Sequence, residues 1–122
     1  MGLPDLRSNN IQLYLCKTDI IHETVQQIMK DFAMFGVEIT FSGNTEQAYN
    51  ELHGQLIFQV GKLLANNSGL LMSVLYQVDI SGREIEQAAH ELPEYNQVEV
   101  VAHQIIFREL KKVLFRRYYR NH

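Results

Sequence analysis

A mainly α-helical domain, an irregular bundle of four or five helices, is the fold class this sequence predicts. Three observations lead there. Apolar residues recur at three- and four-residue spacing over most of the chain, a capping residue stands before most of these stretches, and breaks rich in Gly, Asn or Pro divide them. The 122 residues suffice for one core and not comfortably for two, and 46% hydrophobic content with 20% charge excludes a disordered chain. A single domain over 1–122 is expected, with 1–10 a loose polar leader containing Pro4.

The elements follow in order. Residues 11–15 alternate apolar and polar and are compatible with a short strand or an extended arm. From Thr18 or Asp19, the residues Ile21, Val25, Ile28, Met29, Phe32 and Phe35 trace a helical stripe that Gly36 stops. Residues 37–41, with Val37, Ile39 and Phe41 on alternate positions, can form a second strand pairing with 11–15. Asn44 and Gln47 form a capping box for a helix carrying Ala48, Tyr49, Leu52, Leu56, Val60, Leu63 and Leu64, which should run to about Asn66. After the turn at Asn67, Ser68 and Gly69, a short helix carries Leu70, Leu71, Val74, Leu75 and Val78. Ser81 and Glu84 open another, with Ile85, Ala88, Ala89 and Leu92, ending near Pro93. Asn96 and Glu99 open the last, whose stripe is Val98, Val101, Ala102, Ile105, Ile106, Leu110, Val113 and Leu114. At roughly 24 residues it is twice the typical helix, so its C-terminal turns can project beyond the core.

Composition narrows the setting. Cys16 has no intrachain partner, which excludes a disulfide framework and fits a reducing, cytoplasmic compartment. The first residues lack a signal-peptide pattern, and Leu6 stands where a myristoylation site has Ser or Thr. The charge-free stretch 63–78 is broken by Asn66, Asn67, Ser68, Gly69 and Ser73, short of the ~18 apolar residues of a membrane span. No membrane span is expected, and without a secretory route the glycosylation pattern at Asn66 is incidental.

Catalytic and metal signatures fail on spacing. None of the five histidines pairs with another at metal-binding spacing, and Glu99 with His103 supplies two ligands, not a closed site. Gly54, Gly61 and Lys62 miss the phosphate-loop spacing and lack its Ser or Thr, and two glycines inside a helix suggest close packing instead. Cys16 has no nucleophile signature, and no serine lies in a nucleophile elbow. Residues 70–92 have a helix-turn-helix rhythm turning at 78–81. The second helix, however, presents Glu84, Glu86 and Glu91 against one Arg83, which repels DNA and favours a structural corner. No cofactor, metal or catalytic residue is assigned.

The strongest surface signal is the end of the last helix. The net charge of −3 conceals six bases and one acid in 108–122, a segment of +5 against −8 for the rest. There Arg108, Lys112, Phe115, Arg116, Arg117, Tyr118, Tyr119 and Arg120 interleave cations with aromatics and form the candidate partner-binding set. Such a surface suits an acidic protein, a second copy of this acidic chain, or RNA, whose phosphates meet cations while bases stack on Tyr. Cations also favour a helix C-terminus on their own account.

The runs Leu75-Tyr76-Gln77-Val78-Asp79-Ile80-Ser81 and 108–119 resemble those of an uncharacterised family of short bacterial helical proteins. That resemblance covers about half the chain and implies a bacterial, cytoplasmic setting; it brings no activity and no catalytic residues. The expected function is a non-enzymatic interaction or regulatory domain, self-associating as a homodimer or docking a protein partner through its C-terminal helix. An RNA-binding accessory role is the alternative.

Overall fold

The computed structural model describes residues 18–120. The protein is a mainly α bundle of five helices over this range: α1 Thr18–Ala33, α2 Ala48–Asn66, α3 Ser68–Val78, α4 Gly82–Glu91 and α5 Gln97–Arg120, with a 3-10 turn Thr45–Gln47 before α2. The four shorter helices all pack on α5, and α1 and α2 also meet α3. No described helix is long and apolar enough to cross a membrane.

The local chemistry of the helix ends explains their positions. α1 stops because Gly36 takes φ +73°, a left-handed turn that lets Gly36 N–H donate to the Ala33 carbonyl and Val37 N–H to that of Phe32. The end of α3 repeats this closure with Asp79 at φ 73°, and Ile80 N–H donates to the Leu75 carbonyl. In both, the residue after the turn is buried in the core, so the cap also fixes where the chain leaves the helix. Asn67 and Ser81 cap α3 and α4 with side-chain oxygens that accept from Leu70 and Glu84 N–H. At α5 the box is complete: Glu99 N–H donates to Asn96 Oδ1 and Asn96 N–H to Glu99 Oε1, both at 2.9 Å. At α2 it is half made. Asn44 Oδ1 accepts from Glu46 N–H, but Gln47 Oε1 accepts from Asn50 Nδ2, so the first turn tightens to 3-10 and the α-helix starts at Ala48.

The core runs along α5. Every residue from Val100 to Ile106 is buried, so this stretch has no solvent face, and Leu110, Val113 and Leu114 continue the burial. Ile21, Val25, Ile28 and Phe32 of α1 and Leu52, Leu56 and Val60 of α2 belong to the same apolar cluster. Each such side chain contributes roughly 1.5–3 kcal/mol on burial.

Two expectations are corrected. Residues 37–41 form no strand; the segment is irregular, and side chains of α2 bond polar groups of Thr40 and, just beyond it, of Ser42. Gln55 acts as a substitute strand, accepting from Thr40 N–H (2.9 Å) and donating to the Thr40 carbonyl (2.7 Å), while Glu51 accepts from Ser42 N–H and Oγ–H. Its expected partner, 11–15, lies outside the described residues, as do the leader 1–10 and Cys16. The glycines of α2 are likewise not there for close packing. A Cβ at Gly54 would meet nothing within 4 Å, and one at Gly61 only Val98 at 4.0 Å. Gly54→Ala should therefore stabilise the protein by about 0.5–1 kcal/mol in urea denaturation, as expected for removing a helix-interior glycine that has no steric role.

Candidate functional site

The C-terminal half of α5 presents two faces. Toward α1, Arg116 Nε and Nη2 donate to Glu23 Oε2 and Nη1 to Gln27 Oε1, while Arg117 Nε donates to Glu23 Oε1 and Nη1 to Asp19 Oδ2 at 2.7 Å. The sequence leaves this end free to project, but the structure holds it along α1 as far as Arg117. The guanidinium of Arg117, hydrogen-bonded to Asp19, holds that carboxyl below its ordinary range. Burial pushes Glu23 upward, but Arg116 and Arg117 outweigh it and keep Glu23 below its usual value.

On the other face, Arg108, Lys111, Lys112 and Phe115 line an open hollow of about 330 Å³. Lys111 Nζ lies 5.9 Å from the Phe115 ring centroid, a cation–π distance, and Tyr119 stacks on Phe115 at 6.1 Å while remaining 64% exposed. Tyr118 meets Tyr119 edge to face at 5.1 Å. Arg108 is anchored by Asp79 at 2.7 Å, the residue at the α3–α4 turn, and the Lys112 ammonium leans inward over Glu109 and Asp31. The structure thus brings Arg108, Lys112 and Phe115 together, adds Lys111, and sets Arg116 and Arg117 apart. Arg120 ends the described helix, and its side chain is not described.

The other sequence candidates resolve locally. Glu99 is committed to its capping box, while His103 turns to Tyr49, so the two do not converge. Among the described residues no three His, Cys, Asp or Glu side chains are placed to share a metal. The corner at 70–92 is present as α3, Asp79 and α4, with Arg83, Glu84, Glu86 and Glu91 exposed.

Two polar clusters in the core escape the sequence reading. In the first, the Tyr49 hydroxyl bridges His103 Nδ1 and the Tyr95 hydroxyl (3.3 Å), and His53 Nε2 meets the Glu99 carbonyl at 3.0 Å. His53 lies between the Tyr49 and Tyr95 rings, each centroid 5.2 Å away. Burial, then the Tyr95 contact, pushes the Tyr49 hydroxyl well above its ordinary pKa, so it stays a neutral donor. The second cluster pairs Asp31 of α1 with Glu109 of α5 beneath Lys112. Burial, reinforced by Asp31, pushes Glu109 up to about 8. Burial also opposes ionisation of Asp31, but hydrogen bonds from Glu109 and Gln27 and the charge of Lys112 hold it below the usual range. Their sequence signal is register: Asp31 falls on the stripe of Ile28 and Phe32, and Glu109 on that of Ile105, Ile106 and Val113.

Comparison with protein-family models gives no match, and comparisons with curated proteins and with solved structures give none either.

Two outcomes follow from these contacts. Tyr49→Phe keeps the ring but deprives buried His103 Nδ1 of its partner, and should cost about 1–3 kcal/mol in urea denaturation. A double-mutant cycle on Glu23→Ala and Arg117→Ala should give a coupling of about 0.5–1 kcal/mol at low salt, smaller at high salt. Because Glu23 titrates below its unfolded value, that coupling is present at neutral pH and lost as pH falls through the carboxylate range.

Proposed function

We propose that the protein is a non-enzymatic interaction domain that docks an acidic protein surface on the face of α5 formed by Arg108, Lys111, Lys112, Phe115 and Tyr119. The observation that carries this reading is the hollow itself, where three cations surround a phenyl ring beside an exposed Tyr119. Arg108 and Lys112 already face Asp79, Asp31 and Glu109, so Lys111 supplies the charge for steering, and Phe115 with Tyr119 the aromatic anchor for affinity. The favoured occupant is a second copy of the chain. Glu84, Glu86, Glu91 and Glu94 are exposed on α4 and just beyond it, acidic groups opposite in charge to the hollow, and two copies related by a two-fold axis would each satisfy the other.

Nucleic acid is the weaker partner, because Arg108, Lys112, Arg116 and Arg117 already face carboxylates of the same chain and would have to leave them to bind phosphate. The lone cysteine of the sequence supports a reducing, cytoplasmic setting for this role.

The test is light scattering at low and moderate salt on the protein and on a Lys111→Glu, Tyr119→Ala variant. These two positions are chosen because changing Arg116 or Arg117 would also release α1. We expect a dimer that weakens with salt and dissociates at least tenfold more readily in the variant, a loss of about 1.4 kcal/mol or more. A monomer at both salts, or a dimer indifferent to the variant, would overturn self-association through this face.

A further inference from the structure

Two carboxyl groups face each other across the α1–α5 interface inside the core. Glu109 is 0% exposed and Asp31 2%. Asp31 Oδ1 accepts from Gln27 Nε2 at 3.1 Å, but with both groups ionised Asp31 Oδ2 and both Glu109 oxygens find no hydrogen-bond partner. One ammonium serves the pair. Lys112 Nζ stands 3.0 Å from Glu109 Oε1 and 3.6 Å from Asp31 Oδ2 as an ion-pair partner, and its own hydrogen bond goes to the Gln77 carbonyl at 3.4 Å.

A single positive charge cannot neutralise two buried carboxylates, and an uncompensated anion in a core is costly enough that the group takes up a proton instead. A proton on Glu109 removes the excess charge and supplies the donor that the three orphaned oxygens lack. We propose that Glu109 and Asp31 share one proton, and that this proton locks α1 onto α5 at neutral pH and releases it in alkali. The groups facing the pair are Asp31 and Gln27 from α1, Gln77 from the end of α3, and Lys112 from α5. Among these groups, no second cation takes over when the proton leaves to solvent. The lock lies in the core and is independent of what docks on the surface.

The direction follows from linkage. Glu109 holds its proton more tightly in the folded chain than in the unfolded one, where its ordinary value is 4.5. Its contribution is therefore fully present below that value and lost as pH rises through about 8. Asp31, shifted down, acts only in the acid range and leaves this window undisturbed.

Urea unfolding of the protein between about pH 5 and pH 9, compared with Glu109→Gln, tests this. The glutamine carboxamide keeps a donor toward Asp31 but does not titrate. Relative to that variant, the unfolding equilibrium constant should rise by about tenfold per pH unit up to about pH 8. In addition, the infrared band of a protonated carboxyl should be present at neutral pH and vanish in Glu109→Gln. If Glu109→Gln does not fold, Asp31→Asn serves: with the neighbouring anion gone, burial alone opposes Lys112, so Glu109 ionises at lower pH than in the unaltered protein and the loss of stability with rising pH becomes smaller. A pH dependence shared by the protein and its variants, or a neutral-pH spectrum without the protonated band, would overturn the proposal.

Discussion

The structure depends on one helix having no solvent-facing side over part of its length. Over 100–106, α5 is enclosed by its neighbours, so each polar side chain it carries there must find a partner on a surrounding helix or leave an unmet polar group in the core. His103 finds the Tyr49 hydroxyl of α2; further along, Glu109 finds Asp31 of α1 and Lys112 of its own helix. These contacts specify rather than merely stabilise. An apolar stripe tolerates rotation by a few tens of degrees, whereas a histidine that must meet one hydroxyl and a carboxyl that must meet another fix both the register and the rotation of α5 among its neighbours.

Much of this fold is legible in the sequence, because it is written in local chemistry. The capping box of Asn96 and Glu99, the caps at Asn67 and Ser81 and the stop at Gly36 involve residues within a few positions of each other, and the structure places them where spacing implies. Residues 37–41 show where that logic ends. Alternation of Val37, Ile39 and Phe41 correctly signals an extended chain with alternate residues turned inward, since Val37 and Ile39 are buried. It says nothing about what pairs with the backbone, and here a glutamine side chain on α2 takes the role a neighbouring strand would have had.

The buried clusters were unreadable for a related reason. Register alone shows that Asp31 and Glu109 lie on apolar stripes, but a charge on a stripe has several remedies: a partner, a proton, or a rim position where it reaches water. Which one applies depends on which helices touch. Tyr49 and His103 are 54 positions apart and belong to helices whose packing no local pattern specifies. The candidate partner-binding set met the same limit. Its eight residues share one helix, yet a helix has more than one side, and only the position of α1 decides that Arg116 and Arg117 are turned inward to Glu23 and Asp19 while Phe115 and Tyr119 are left to the hollow.

That division changes the meaning of the charge asymmetry. Read along the chain, an acidic body and a basic tail suggest a tail held ready for an external anion. Folded, the two regions answer each other: Asp19 and Glu23 take Arg117 and Arg116, Asp79 takes Arg108, and Asp31 takes Lys112, so α5 is zipped to α1 and to the α3–α4 turn by the charges that set it apart in sequence. The exposed pairs among these add little stability one by one, but they orient, because like charges in the same positions would push the helices apart. What an external partner can sense is then the residue of this internal cancellation: the Lys111 ammonium beside Phe115 and Tyr119 on one side, and the glutamates of α4 on the other. The proposed recognition accordingly rests on a few groups the fold leaves over, and not on the total charge of the C-terminal segment.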